Sequence, residues 1–153
     1  MFLKSVKNLA LGLLIAAVAS GPASFAGEAE KGPSLYERLG SWDGIGRIVN
    51  DTIALHLENP DIAHYFDGVD TDQLAAHVTA FFAAGSGGPA KYESRDMTSA
   101  HAGMDMSDAD FDSAVTDVLK ALGKNGVGDA EKAEVAAILE SLRPAVMGTV
   151  TDS

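Results

Sequence analysis

Apolar residues recur with the period of an α-helix in four stretches of this chain, and no other feature constrains its fold as strongly. The stretches begin near residues 44, 71, 107 and 129, and each runs for about 15 residues, an ordinary length for a globular helix. In the first stretch, Ile45, Ile48, Val49, Ile53 and Leu57 share one face. No stretch alternates at period two, so the chain is predicted to be all-α.

Residues that favour helix ends separate these stretches. Asn59-Pro60 is predicted to end the first long helix, and Gly85-Ser86-Gly87-Gly88-Pro89 to end the second. Short helices are predicted over 34–39, over 61–66 and around 96–103. The residues predicted to cap helix N-termini are Ser34 with Glu37, Asp43, Asp70 or Thr71, Ser107 with Asp110, and Asp129.

The N-terminal segment has the features of a secretory signal peptide. Lys4 and Lys7 precede an apolar run from Leu9 to Val18, and Ser24 and Ala26 suit the small-residue positions of a cleavage site. We expect cleavage after Ala26. An uncleaved anchor helix is the alternative, but the run is shorter than the roughly 20 residues that a membrane span needs. The predicted organisation is a signal peptide over 1–26, a flexible lead-in over 27–33 and one helical domain over 34–150.

The composition excludes several classes of function. The net charge is −11, from 22 acidic and 11 basic residues, so we expect no binding to nucleic acid and none to a membrane after signal removal. The chain has no cysteine, which excludes disulfides, thiolate metal sites and haem attachment through a C-x-x-C-H motif. An exported soluble chain of this kind suits the periplasm or the exterior of a bacterium.

One of the four histidines lies in a pattern that suits a metal ligand. Met97, His101 and Met104 share one face of a helix, because they follow one another at i, i+4 and i+7. His101 is then either a hydrogen-bonded histidine of the core or the single axial ligand of iron or copper. His56 and His64 are expected at the surface.

Two aromatic pairs, Tyr65-Phe66 and Phe81-Phe82, are generous for so small a helical bundle. Ordinary core packing is one interpretation, and a pocket for a flat apolar ligand is the other.

Five segments, in this order and spacing, form a recognisable pattern: Leu35-Tyr36-Glu37-Arg38-Leu39-Gly40, Asn59-Pro60-Asp61-Ile62-Ala63-His64-Tyr65-Phe66, Phe81-Phe82-Ala83-Ala84, Gly87-Gly88-Pro89 with Tyr92, and Arg95-Asp96-Met97 with Ala100-His101. The pattern resembles the group I truncated haemoglobins over about Ser34 to Val150. The resemblance implies a two-over-two helical sandwich with a short proximal helix.

The resemblance also implies a haem pocket and assigns its residues. His101 corresponds to the proximal iron ligand, and Met97 lies in the same proximal segment. Arg95 is either a partner of a haem propionate or a solvated loop residue. The aromatic walls of the pocket would be Phe66, Phe81, Phe82 and Phe111.

The distal side departs from the family pattern. The pair that usually brings a tyrosine hydroxyl over the iron maps to Thr52-Ile53, and two further positions, where glutamine is common, map to Leu74 and Val78. The side chains nearest a bound ligand are therefore apolar, unless the Thr52 hydroxyl turns inward. His77 is either a second iron ligand, as in some family members, or a propionate contact or solvated residue.

These features predict a haem b protein that binds a diatomic ligand at a histidine-ligated iron. Oxygen is the usual ligand of the family, whereas an apolar distal face favours carbon monoxide or nitric oxide over stable oxygen storage. Some members of the family attach haem covalently through a histidine of the last helix. No histidine follows His101 here, so the resemblance implies a haem that is held non-covalently. We expect a monomer that obtains electrons from an unidentified reductant and binds ligands rather than turning over a substrate.

A second hypothesis is a periplasmic copper-binding protein. His101, Met104 and Met106 lie within six residues, and imidazole with two thioethers suits Cu(I). A helical interaction module without any metal is a third hypothesis.

Overall fold

Six α-helices and one 3-10 turn make up residues 32–149, the part of the chain that the computed structural model describes. The elements are α1 (Leu35–Arg38), α2 (Ser41–Glu58), the 3-10 turn (Ala63–Phe66), α3 (Thr71–Gly85), α4 (Met97–His101), α5 (Asp108–Lys124) and α6 (Asp129–Val146). This range contains no strand, which confirms the predicted all-α class for the described part. The predicted signal peptide, 1–26, and the lead-in up to residue 31 lie outside the described residues.

Three of the predicted N-terminal caps are confirmed. The Ser34 and Ser107 hydroxyls accept hydrogen bonds from the backbone N–H groups of Glu37 and Asp110, and both pairs form complete capping boxes. Asp70 caps α3 by accepting hydrogen bonds from two backbone N–H groups. Each cap stabilises its helix by about 1 kcal/mol, so these local signals fix where α1, α3 and α5 begin.

The caps predicted at Asp43 and Asp129 are wrong. α2 begins at Ser41, because Gly40 adopts a left-handed conformation with φ of 87° and turns the chain directly into the helix. A Cβ at Gly44 would lie 2.1 Å from the Leu39 carbonyl oxygen, so this tight junction requires glycine there. α6 begins at Asp129 itself, after Gly128.

The helices pack as two pairs around one core. α2 packs against α3 and also against α5, α5 packs against α6, and α4 lies on α6. The buried apolar core contains Leu35, Leu39, Ile45, Ile48, Val49, Ile53, Ala83, Ala121, Leu122 and Val135. Leu57, which the helical period placed on the buried face, is 45% exposed in the last turn of α2. Within residues 32–149, no helix is long and apolar enough to cross a bilayer.

Candidate cofactor site

A cavity of about 580 Å³ is lined by side chains from α2 through α6. Its volume falls within the roughly 300–1,000 Å³ that is usual for pockets holding small molecules and cofactors. All of the site residues predicted from the sequence line this one cavity: Ile53, Phe66, Leu74, His77, Val78, Phe81, Phe82, Arg95, Met97, His101 and Phe111. The fold therefore collects in one place residues that the sequence spreads over some sixty positions.

His101 is presented to the cavity with one ring nitrogen fixed. Its Nδ1 lies 2.9 Å from the carbonyl oxygen of Met97, four residues earlier. A carbonyl only accepts hydrogen bonds, so Nδ1 carries a proton, and in the neutral imidazole the lone pair is therefore on Nε2. An imidazole held in this way is a suitable ligand for a metal ion, because the hydrogen bond at Nδ1 orients the ring and directs Nε2 to the metal.

The short helix α4 that carries His101 is fixed at its start by Asp96. The Asp96 carboxylate accepts hydrogen bonds from the Ser99 backbone N–H and the Ser99 hydroxyl, both at 2.9 Å. These bonds, the one from the backbone N–H above all, hold the pKa of Asp96 below its ordinary value. A helix of five residues has little stability of its own, so this cap and the contact with α6 determine where His101 lies.

The residues that the family resemblance assigns to the distal side, Thr52, Ile53, Leu74 and Val78, all line the cavity. Thr52 and Ile53 are buried, while Leu74 and Val78 of α3 are half-buried. The Thr52 hydroxyl donates a hydrogen bond to the Ile48 carbonyl oxygen, 2.8 Å away in the same helix. Its proton is therefore directed along α2 rather than toward a molecule in the cavity.

His77 and Arg95 line the cavity and are also exposed, so both lie at its mouth. Within residues 32–149, the Arg95 guanidinium belongs to no ion pair. The loop that carries it is held by Tyr92, whose hydroxyl donates to the Arg95 carbonyl oxygen at 2.9 Å and whose ring meets the Phe81 ring edge-on at 5.2 Å. A ligand with an anionic edge could therefore meet a cationic guanidinium at this mouth.

The aromatic walls are supported from behind by polar groups. The Phe66 ring stacks on the His56 ring, with 5.5 Å between the centroids. Phe111 is 5% exposed, and the guanidinium carbon of Arg143 lies 4.2 Å from its ring centroid. These contacts fix the ring planes and give the cavity flat apolar surfaces.

The prediction that His56 is a surface residue is wrong. Its side chain is 12% exposed, it lines the cavity, and its Nδ1 lies 3.2 Å from Oδ2 of the buried Asp117. Burial lowers the pKa of His56, and the hydrogen bond to Asp117 opposes that effect. A signal was present in the sequence, since His56 lies three and four residues after Ile53 and Thr52 and so shares their helix face.

Met104 and Met106 also line the cavity, close in sequence to His101. Within the described residues, no group of three or more histidine and carboxylate side chains could hold a metal ion. A metal bound by His101 would therefore need thioethers or a cofactor to supply most of its other ligands.

Comparison with known proteins gives one consistent result. A sequence model described as bacterial-like globin matches residues 34–148. A group 1 truncated haemoglobin from Tetrahymena pyriformis is 30% identical over 118 residues, which cover 77% of this chain and 98% of that protein. One from Synechocystis is 33% identical over 109 residues, covering 69% of this chain and 88% of that protein.

Solved structures of truncated haemoglobins also resemble this structure. The crystal structure of the Tetrahymena pyriformis truncated haemoglobin in its Fe(III) form has a TM-score of 0.72 and 29% identity, covering 75% of this chain and 98% of that one. The 2/2 haemoglobin of Synechococcus, solved with covalently attached haem, has a TM-score of 0.71 at 23% identity, a likeness of fold alone. It covers 76% of this chain and 99% of that one. None of the matches named here is a copper protein.

Proposed function

The chain belongs to the bacterial-like globin family, and from this we propose that it binds haem b non-covalently, with His101 as the proximal iron ligand and a diatomic gas on the opposite side. Haem-based ligand binding is the general function that the family supports. The two-over-two helical fold predicted from the sequence is confirmed by the likeness to truncated haemoglobin structures.

The hydrogen bond from His101 Nδ1 to the Met97 carbonyl carries this proposal. It leaves Nε2 as the one available nitrogen on an imidazole that lines an apolar cavity. A bond of this kind makes the imidazole a better electron donor and fixes the plane of its ring. The role of His101 as proximal ligand would thus be prepared before any cofactor enters.

The remaining residues of the cavity suit haem in shape and charge. Phe66, Phe81 and Phe111 provide flat apolar walls, and the exposed Arg95 provides a cation for a propionate at the mouth. When bound, the haem iron would supply the Lewis-acidic site at which a diatomic gas binds. The protein would hold the haem and exclude bulk water, and the side chains opposite His101 would set its relative affinity for different gases.

Those opposite side chains favour gases that need no hydrogen bond. Ile53, Leu74 and Val78 carry no donor, and the Thr52 hydroxyl donates to Ile48. We therefore expect carbon monoxide and nitric oxide to be bound more persistently than oxygen, which becomes polarised and is stabilised by a donor by about 1 kcal/mol or more.

The substitution Ile53→Tyr tests this expectation, because it adds a hydroxyl to the apolar wall. Oxygen dissociation, followed by stopped-flow absorbance, is expected to slow severalfold, since about 1 kcal/mol corresponds to roughly a factor of 5. Ile53→Phe is the matched control, with the same ring and no hydroxyl, and is expected to leave dissociation fast. Equal rates for the two variants would contradict an apolar distal side.

His77 is proposed as a second, partial ligand of the iron when no gas is bound. It lies at the mouth, one residue before Val78 and three after Leu74, at the edge of their stripe on α3. The apolar distal side has no donor that could hold a water molecule at the iron. The imidazole of His77 would therefore meet little competition from water as a ligand. Ferric spectra identical in His77→Leu and the parent would reject this role.

The proposed setting is the periplasm or the exterior of a bacterium, with the chain exported by its signal peptide and acting as a monomer supplied by a one-electron reductant. The charged n-region, the apolar run and the small residues before Gly27 support export. Mass spectrometry of the exported protein should find Gly27 as the first residue, and a chain beginning at Met1 would contradict both cleavage and location.

An absorption titration of the exported protein with hemin tests the proposed function. We expect an intense Soret band that saturates at one hemin per chain and shifts on reduction and on addition of carbon monoxide. A chain that binds no hemin, or that binds Cu(I) in its place, would contradict the proposal.

A further inference from the structure

Three hydrogen-bonded residues form a polar cluster at one wall of the cavity, where His56 lines it and Asp117 and Asn59 lie behind, and the proposed function uses none of them. This inner-wall cluster consists of His56, Asp117 and Asn59. Asp117 is only 2% exposed, and its Oδ2 accepts hydrogen bonds from Asn59 Nδ2 at 2.7 Å and from His56 Nδ1 at 3.2 Å. Its Oδ1 accepts one from Lys120 Nζ at 3.1 Å.

Asp117 is ionised in this setting. Burial works to raise its pKa, but the hydrogen bonds from Asn59, Lys120 and His56 outweigh burial and hold the pKa below its ordinary value. A carboxylate only accepts hydrogen bonds, so the proton between the two side chains lies on His56 Nδ1. The other ring nitrogen, Nε2, is left to exchange protons.

His56 Nε2 is accessible and has no protein partner within residues 32–149. Every side-chain nitrogen or oxygen that is sealed off in this range has a hydrogen-bond partner, and His56 hydrogen-bonds only through Nδ1. Nε2 is therefore open to a water-sized molecule. The ring lines the cavity and stacks on Phe66. A positive charge on it would therefore change the electrostatic potential inside the cavity.

We propose that His56 is the proton-exchange site of this cavity, at which Nε2 takes up one proton from solvent for each electron that a one-electron reductant delivers to the cavity. The inference rests on the proposed function, because the electron is received by the haem iron. The proton forms an N–H bond at Nε2, no other bond changes, and oxidation releases the proton again. The link is electrostatic: an added electron removes positive charge from a region of low polarity, which favours the imidazolium form.

The charges that face His56 come from one helix. From α5 these are Asp117 and, on its other oxygen, Lys120. The segment after α2 presents the uncharged Asn59 and Phe66. A more distant carboxylate, Asp61, reaches the cluster only through the Ser113 hydroxyl, which lies between it and Asn59.

Burial lowers the pKa of His56, and the bond to Asp117 works against this. Because its pKa is lowered from 6.5, His56 is neutral near pH 7. It also lies beside the Asp117 carboxylate, which stabilises the protonated form of the imidazole.

The test is the midpoint potential of the haem-loaded protein, measured from pH 5 to pH 9 in the parent and three variants. Where His56 titrates, the parent potential should fall with rising pH at a slope that approaches 59 mV per unit, the value of a tenfold change for one electron. His56→Gln should flatten that segment. The matched control His64→Gln, which alters an exposed histidine outside the cavity, should keep it.

Asp117→Asn provides a second, independent variant, because it keeps the size of the side chain and removes its charge. Without the anion, the His56 imidazolium is less stable, so the bend in the curve should move to lower pH. A slope unchanged in His56→Gln overturns the proposal. If that variant fails to hold haem, a bend at the parental pH in Asp117→Asn overturns it. A parent without a Soret band overturns the proposed function as well, whereas a parent with the band and a flat pH curve overturns only the role of His56.

Discussion

Two histidines line the same cavity but are held there in different ways. His101 ends a helix of five residues, and its Nδ1 donates to the carbonyl of Met97 within that helix. His56 lies in a helix of 18 residues, and its Nδ1 donates to the carboxylate of Asp117, 61 positions away. The ring of His101 is thus oriented by its own segment, and the ring of His56 by the tertiary fold.

This difference predicts how each side responds to change. α4 contributes no residue to the buried core, whereas α2 contributes six buried residues and packs on both α3 and α5. Substitutions on the proximal side should therefore alter cofactor retention and leave the fold intact. Substitutions in the inner wall should alter the free energy of unfolding and leave the iron ligand in place.

The largest effect is expected from His101→Ala, which removes the only histidine among the three proximal side chains Met97, Ala100 and His101. The chain should fold but lose haem, or keep it only when free imidazole is supplied. Transfer of haem to an excess of an apoprotein acceptor measures the loss. His64→Ala serves as the control, and full retention with an unchanged ferrous spectrum would remove His101 from the site.

Asp117→Ala should have the next largest effect, on stability rather than on the iron. It leaves the buried donors of His56 and Asn59 without their acceptor, at a cost of roughly 3 kcal/mol in the free energy of unfolding. Urea unfolding followed by circular dichroism measures it. Asp112→Ala, at an exposed position on the same helix, should cost less than about 1 kcal/mol. Equal losses would show that the inner wall is not held by Asp117.

Asp96→Ala is expected to act on the proximal side alone. Loss of this cap costs α4 about 1 kcal/mol, which corresponds to a roughly fivefold faster loss of haem. The urea midpoint should hardly change. Asp96→Asn keeps an acceptor for the Ser99 N–H and should restore retention. A large drop in global stability would contradict the local character of this side.

The smallest expected effect is a loss of stability at acid pH. The pKa of His56 is lowered in the fold from its ordinary value of 6.5, so below that pH the unfolded chain binds the proton more readily than the folded one. The contribution of His56 to the free energy of unfolding is therefore fully present above pH 6.5 and declines as the pH falls toward the pKa that His56 has in the folded protein. The pKa of Asp117 is lowered from 3.8, so its contribution is lost only at more acidic pH. Urea midpoints at several pH values should show the first decline in the parent and not in His56→Gln.

The same contrast explains what could be predicted from the sequence. The helices, three of the caps and the placement of His101 follow from patterns within a few residues, such as Ser107 with Asp110 or Met97 with His101. The start of α2 could not be predicted, because it depends on the left-handed Gly40 and the close approach of Leu39 to Gly44.

The role of the inner wall was missed for a related reason. Asp117 looks like a surface residue in its own segment, and only the packing of α2 on α5 brings it to His56. The helix face that His56 shares with Ile53 indicates burial, but no local pattern identifies its partner. Pairs formed across the fold are therefore the part of this site that sequence reasoning could not supply.

The central claim is that His101 Nε2 binds the haem iron, and resonance Raman spectroscopy of the ferrous protein tests it most directly. We predict an iron–histidine stretching band that shifts when histidine is labelled with ¹⁵N, disappears in His101→Gly and returns when imidazole is added. A band that persists unchanged in His101→Gly would contradict the claim and assign the iron to another side chain.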